Sequence, residues 1–229
     1  MRIAGLQKMT LLDFPGLIAC TVFLPGCNLR CPFCHNASLV LPGSIPELMT
    51  DSQLLDFLKG RAGKLDGVCI TGGEPTLHKD LPELIRAIKE MGFQVKLDTN
   101  GSNPLLLRSL LEENLLDYVA MDIKNSPERY RETCGGVDIL QKAQESAKLL
   151  MDGAAAYEFR TTVCHPLHDE ASIASIAQWL QGAKQYYLQA FVDSGDLIGQ
   201  GMSALNPNEM DTLRQAALPY IPNTHIRGI

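Results

Sequence analysis

The stretch from Ile18 to Asn36, IACTVFLPGCNLRCPFCHN, carries the reading on which the fold turns. Its first part, Ile18 to Leu24, is a short apolar run rich in β-branched and aromatic residues, which predicts a buried strand. Pro25 and Gly26 stop it. The loop that follows holds Cys27, Cys31 and Cys34 in C-x3-C-x2-C spacing, close enough for three thiolates to meet one metal centre. A strand that delivers chemistry-bearing residues at its carboxyl end is the arrangement of parallel α/β sheets.

The rest of the chain repeats that arrangement. Further strands are predicted at Gly67 to Thr71, Phe93 to Leu97, Asp117 to Ile123, Tyr157 to Val163 and Tyr186 to Val192, with helices near 51–60, 81–91, 103–114, 137–151, 169–181 and 207–217. Thr50 and Asp51 suit the start of the first helix, and Gly92 the end of the second. Each unit takes roughly 30 to 40 residues, the length of a βα repeat. The strand ends hold TGGEPT (71–76), DTNG (98–101), MDIK (121–124) and RTTVCHP (160–166), so polar and metal-binding residues gather at one end of the sheet.

Composition narrows the classes. With 229 residues, 45% hydrophobic and 20% charged, residues 1–229 can bury one core as a single domain. Twenty Lys and Arg against 26 Asp and Glu leave a net charge of -6 without a basic run, which argues against a nucleic-acid partner. No stretch approaches the roughly 18 apolar residues of a membrane span, so a cytoplasmic protein with no membrane partner is expected. Seven cysteines, odd in number and unevenly spread, do not suit a disulfide framework. The triplet alone leaves two readings: a structural zinc completed by His35 or a remote cysteine, or a [4Fe-4S] cluster with three protein ligands and one open iron.

A resemblance bears on the choice. CNLRCPFC (27–34), with Phe33 before the third cysteine, resembles the defining motif of the radical S-adenosylmethionine superfamily, and GGEP (72–75) resembles its second motif. The order of strand, cysteine loop, GGEP, DTNG and DIK is similar to that of the glycyl-radical-enzyme activating enzymes along nearly the whole chain. Residues 12–36, LDFPGLIACTVFLPGCNLRCPFCHN, most resemble the anaerobic ribonucleoside-triphosphate reductase activating proteins. Asp13-Phe14-Pro15-Gly16-Leu17 departs from the DGPGxR segment of the pyruvate formate-lyase branch.

The resemblance implies an α/β fold, a partial (β/α)6 barrel of parallel strands. It implies Cys27, Cys31 and Cys34 as ligands of a [4Fe-4S] cluster whose open iron takes the amino and carboxylate groups of S-adenosylmethionine. One electron, from a flavodoxin- or ferredoxin-type donor, then yields methionine and a 5′-deoxyadenosyl radical that makes a glycyl radical on a partner enzyme. Gly72, Gly73 and Glu74 would meet the methionine ammonium group and Phe33 would line the adenine. Asp98, Thr99 and Asp122 would surround a monovalent cation, with Lys124 on the cofactor carboxylate. Asp122 and Lys124 are two apart on a strand and share a face, as do Arg160 and Thr162, which could reach the ribose or carboxylate. Gln189 is a candidate adenine or ribose contact.

Asn100 and Gly101 are assigned to the turn, His165, His168 and Cys164 to a surface loop, and Cys20, Cys69, Cys134 and Cys164 to background thiols. Three other readings compete with the activase: a small-molecule radical enzyme such as a 7-carboxy-7-deazaguanine synthase-like enzyme, an activase of another glycyl radical enzyme, and a zinc-bound interaction module.

Overall fold

Alternation along the strands builds two unlike faces of one sheet. The computed structural model describes residues 1–41, 48–193 and 195–229. In chain order the first half contains β1 (Arg2–Ile3), β2 (Gly5–Thr10), β3 (Ala19–Leu24), α1 (Ala37–Val40), β4 (Met49–Thr50), α2 (Asp51–Lys59), β5 (Gly67–Gly72), a 3-10 turn (Pro75–Leu77), α3 (Leu81–Glu90) and β6 (Gln94–Thr99). The second half adds α4 (Pro104–Glu112), β7 (Tyr118–Asp122), α5 (Tyr130–Thr133), α6 (Leu140–Asp152), β8 (Ala156–Val163), α7 (Glu170–Trp179), β9 (Tyr186–Ala190), α8 (Pro207–Ala217) and β10 (Thr224–Arg227). The main sheet runs β10-β9-β8-β7-β6-β5-β3-β2, while β1 and β4 form a small antiparallel ribbon.

All six expected strands and all six expected helices are present, with ends shifted by a few residues. Thr50 caps α2 in a capping box with Gln53, and the Gly92 N–H closes α3 on the Lys89 carbonyl. Four strands were outside the sequence expectation, β1 and β4 of the small ribbon and two in the main sheet. β2 pairs antiparallel with β3 at one edge, and β10 adds a seventh parallel strand at the other. Both are edge strands with only one neighbour to satisfy, so neither needs the continuous apolar run that marks a buried parallel strand.

On one face Val22, Leu24, Val68, Ile70, Val95, Leu97, Val119, Met121, Phe159 and Leu188 join a single core with the apolar sides of the helices. The alternate positions, Thr21, Cys69, Lys96, Asp98, Asp122, Arg160 and Gln189, make the other face polar and charged. Strands β3 to β9 at their usual spacing of about 4.8 Å would spread side chains across some 24 Å if the sheet were flat. Instead residues from all six strands line one cavity, so the sheet is curved into a partial barrel with its polar face inside. Among the described residues no helix is long and apolar enough to cross a membrane.

Candidate active site

The carboxyl ends of β3, β5, β6, β7, β8 and β9 open into a cavity of about 320 Å³, a volume at the lower end of small-molecule sites. Cys27, Cys31 and Cys34 form one wall together with Phe33. Gly72 and Gly73, Asp98, Thr99, Asp122, Lys124, Arg160, Thr162 and Gln189 form the rest. Of the residues expected from the sequence, only Glu74 is not in the lining.

The cysteine loop is held from several sides. Arg30 Nη1 donates to the carbonyls of Cys27 and Leu29 at 2.8 and 2.7 Å, the Gly199 N–H donates to the Pro32 carbonyl at 2.8 Å, and Leu29 N–H points at Cys27 Sγ at 3.4 Å. A hydrogen bond with the Cys134 thiol, opposed by burial and aided by the Lys124 ammonium, brings the Cys31 thiol down to about 7. Burial pushes Cys27 and Cys34 up. Three cysteines of one loop on the lining of one cavity match in number and in donor chemistry the three thiolate ligands of a cluster with one open iron.

Facing them is a chain of buried charges. Arg160 donates to Asp98 Oδ2 at 3.2 Å and to Asp122 Oδ1 at 2.9 Å, Lys124 reaches Asp122 Oδ2 at 3.2 Å, and the Lys96 ammonium contacts Asp98 Oδ1. Burial works to raise the Asp122 carboxyl, yet Arg160 and Lys124 outweigh it and hold it at about 2, against an ordinary 3.8. Asp98 is lowered in the same way by Arg160 and Lys96. Three cations meet two carboxylates in this chain, and the Asp13 carboxylate also lines the cavity; Lys124, which shares Asp122 with Arg160, is the cation placed to meet a ligand's carboxylate.

The family model of the Radical SAM superfamily matches residues 21–180, the span that holds the thiol loop, the glycine edge and the charged side chains of the cavity up to Arg160. The chain belongs to the radical SAM superfamily. Over 99% of its length it is 34% identical to a Methanocaldococcus jannaschii protein named as a glycyl-radical enzyme activating enzyme, covering 96% of that protein. It is 33% identical over 54% of the chain to the pyruvate formate-lyase-activating enzyme of Clostridium pasteurianum, covering 52% of that enzyme. Among solved structures it resembles Streptococcus suis SuiB bound to precursor peptide SuiA, with a TM-score of 0.71 and 17% identity over 95% of this chain and 50% of that one, a likeness of fold. Radical SAM membership brings a [4Fe-4S] cluster and S-adenosylmethionine as cofactors.

Three details of this radical SAM site go beyond the sequence reading. Glu74 is fully buried behind the cavity, where it accepts from Thr76 N–H and Oγ1, from Thr99 Oγ1 at 2.8 Å and from Asn100 N–H at 2.7 Å. It braces the ends of β5 and β6 and does not face a ligand. The glycines before it are required by the backbone: a Cβ on Gly73 would sit 1.9 Å from the Gly26 carbonyl oxygen, and the Gly73 and Glu74 N–H groups donate to the carbonyls of Leu24 and Gly26. Finally, Asp98 and Asp122, two of the three residues expected around a cation, are paired with Lys96, Arg160 and Lys124, and the Thr99 hydroxyl donates to Glu74 while accepting from Gly101 N–H.

Other residues were undervalued. Asn100 does serve its turn, since its side chain accepts from Ser102 N–H, but its amide also donates to Asn28 Oδ1 at 3.0 Å and approaches Cys27 Sγ at 3.9 Å. His168 and Cys164 are buried, not on the surface; His165 is half-buried, beside Glu209 at 3.5 Å. His168 accepts from Cys164 N–H at Nδ1, which leaves Nε2–H to donate to the Lys124 carbonyl at 2.9 Å, and its ring edge meets Phe33. Cys20, Cys69 and Cys134 are buried as background thiols should be, yet Cys69 accepts from Lys96 and Cys134 touches Cys31.

The lowered Asp122 carboxyl gives a pH signature. A carboxyl depressed on folding contributes stability that is full above its ordinary value and is lost as pH falls toward the folded one, here between about 4 and about 2. Thermal melts across this window should fall for the wild type, and Asp122→Asn should flatten that part of the decline.

Proposed function

We propose that the protein is an activase that generates a glycyl radical on a partner enzyme, the anaerobic ribonucleoside-triphosphate reductase. The reading rests chiefly on one juxtaposition: three cysteine thiols line the same cavity as the Gly72–Gly73 edge and the Lys124 ammonium. Cys27, Cys31 and Cys34 hold the [4Fe-4S] cluster. When bound, the reduced cluster and S-adenosylmethionine supply a 5′-deoxyadenosyl radical able to take a hydrogen atom from glycine. Lys124 holds the carboxylate of the cofactor, and the Gly72–Gly73 edge offers carbonyl oxygens to its ammonium group. Phe33 lines the adenine, backed by His168, while Thr162 and Gln189 meet the ribose or adenine. Asp98, Asp122 and Arg160 fix the charged wall.

Residues 1–229 act as one domain, and the sheet ends on β2 without closing, so Gln7 and Asp13 border a lateral approach suited to a loop of a large substrate. The electron comes from a flavodoxin- or ferredoxin-type donor in the cytoplasm, where thiols stay reduced. The test mixes the reconstituted, reduced protein and S-adenosylmethionine with candidate glycyl radical enzymes under anaerobic conditions. An organic radical on the ribonucleotide reductase, seen by electron paramagnetic resonance, is the expected result. A signal on a different glycyl radical enzyme would reassign the partner. Conversion of an added reduced pterin to a deazapurine, with no protein radical, would instead favour a 7-carboxy-7-deazaguanine synthase-like reaction.

A further inference from the structure

His168 is not part of the cavity lining, yet it is bonded to a residue that is. It is 2% exposed and lies on the loop between β8 and α7, one residue before the Asp169 cap of that helix. A carbonyl oxygen can only accept, so Nε2, the ring nitrogen 2.9 Å from the Lys124 carbonyl, carries a proton. Burial favours the neutral ring, which leaves Nδ1 with its lone pair to accept from the Cys164 N–H at 3.2 Å. The ring edge meets Phe33 in a T-shaped contact with centroids 6.1 Å apart, and the Lys124 ammonium stands 5.9 Å from the centre of the same Phe33 ring.

The bond to Lys124 falls where the chain leaves its strand. β7 ends at Asp122, and beyond it side chains take over from the ladder. Thr161 Oγ1 donates to the Ile123 carbonyl at 2.8 Å, His168 to the Lys124 carbonyl, and Asn125 Nδ2 to the Leu167 carbonyl at 2.9 Å. A lysine is a flexible four-carbon stem, so its ammonium is placed by the backbone at its root and by its partner, here Asp122 at 3.2 Å. Of the three side-chain bonds, that of His168 acts on Lys124 itself. Thr161 and Asn125 hold the flanking residues, so losing the imidazole donor should shift Lys124 without unfolding the segment. We infer that His168 is a positioning residue for S-adenosylmethionine: its Nε2–H fixes the root of Lys124 and thereby the ammonium that meets the cofactor carboxylate. The inference rests on the cofactor reading proposed above, in which Lys124 makes that contact.

The test is anaerobic calorimetric titration of the cluster-reconstituted protein with S-adenosylmethionine, for wild type, His168→Gln, His168→Asn, Lys124→Ala and the double variant of His168→Asn with Lys124→Ala. Glutamine places an amide N–H where Nε2–H stands, whereas asparagine reaches only as far as Nδ1 and leaves the Lys124 carbonyl unbonded. Both lose the ring edge on Phe33, so the difference between them isolates the Nε2–H bond. His168→Gln should bind within about threefold of wild type and His168→Asn about tenfold more weakly than His168→Gln. Saturating S-adenosylmethionine should return the 5′-deoxyadenosine rate of His168→Asn to within about threefold of wild type, a rise in KM with kcat nearly kept. In the Lys124→Ala background His168→Asn should cost no more than about threefold further, because the two residues act as one. Equal Kd values for His168→Gln and His168→Asn would overturn the inference, as would a loss that persists in full in the Lys124→Ala background. Should the His168 variants not fold, the wild type decides: two-bond nitrogen NMR of the cluster-free chain with labelled histidine should show His168 as the Nε2–H tautomer, and an Nδ1–H tautomer would overturn the inference. A Lys124→Ala Kd equal to that of wild type would overturn the cofactor reading, and the inference with it.

Discussion

Replacing Cys31 with alanine is expected to remove reductive cleavage of S-adenosylmethionine, a fall of at least about a thousandfold, because a cluster held by two thiolates does not survive purification and no other group supplies the electron. The fold should persist. Cys31 is a small side chain on a loop whose backbone is fixed independently by Arg30, by the Cys34 N–H bond to the Cys31 carbonyl and by the Gly199 contact at Pro32. Losing its thiol should cost about 1 kcal/mol. Iron and sulfide per chain, the visible absorption of the reconstituted protein and the yield of 5′-deoxyadenosine under a chemical reductant make the measurement. Cys27→Ala and Cys34→Ala should behave alike. Cys134 lies against Cys31 and is the neighbour best placed to substitute for it, so the double variant Cys31→Ala with Cys134→Ala closes that route. Cys20→Ala is the control: it points with Val22 and Leu24 into the helix-packed core, while Thr21 and Phe23 face the cavity. Cleavage at wild-type rate by Cys31→Ala would remove it from the ligand set.

The contrast between Cys31 and Cys20 also explains how much of the molecule could be read in advance. Strands buried on both faces announce themselves by apolar runs, and the residues that follow them are fixed at one end of the sheet by topology alone. Cys27, Gly72, Asp98, Asp122 and Arg160 could therefore be assigned to a common end before any coordinates existed. Edge strands gave no such signal: β2 reads GLQKMT and exposes Met9, because half of its surface has nothing to cover it. Partnerships across the barrel were equally hidden. Spacing tells that Lys96 and Asp98 share a face, which is a usable sign of an ion pair, but not that Arg160 bridges two carboxylates on different strands. His168 was misread for a related reason: Pro166 beside it suggests surface loop, and only the three-dimensional return of the chain onto Lys124 buries it.

Glu74 is where motif reading and structure disagree most sharply, and the disagreement has a large measurable consequence. Its carboxylate takes four donors from three residues, and burial nonetheless pushes its carboxyl up. Glu74→Ala strands the backbone N–H groups of Thr76 and Asn100 in a buried place, at about 1–3 kcal/mol each, and leaves two threonine hydroxyls to find new acceptors. A total loss of about 3–5 kcal/mol follows, which for a chain of this size lowers the thermal midpoint by roughly 10 °C. Glu74→Gln keeps one acceptor oxygen and turns an amide against the other donors, so its loss should be smaller but in the same direction. If Glu74 instead contacted the methionine ammonium group, both variants would weaken S-adenosylmethionine binding while the melting point stayed put. Differential scanning calorimetry of the cluster-free chain separates the cases, since no ligand is present to be lost. A midpoint for Glu74→Ala within 2 °C of wild type would return the residue to the binding surface, whereas the expected drop fixes it as the brace that keeps β5 and β6 in step beneath the Gly72–Gly73 edge.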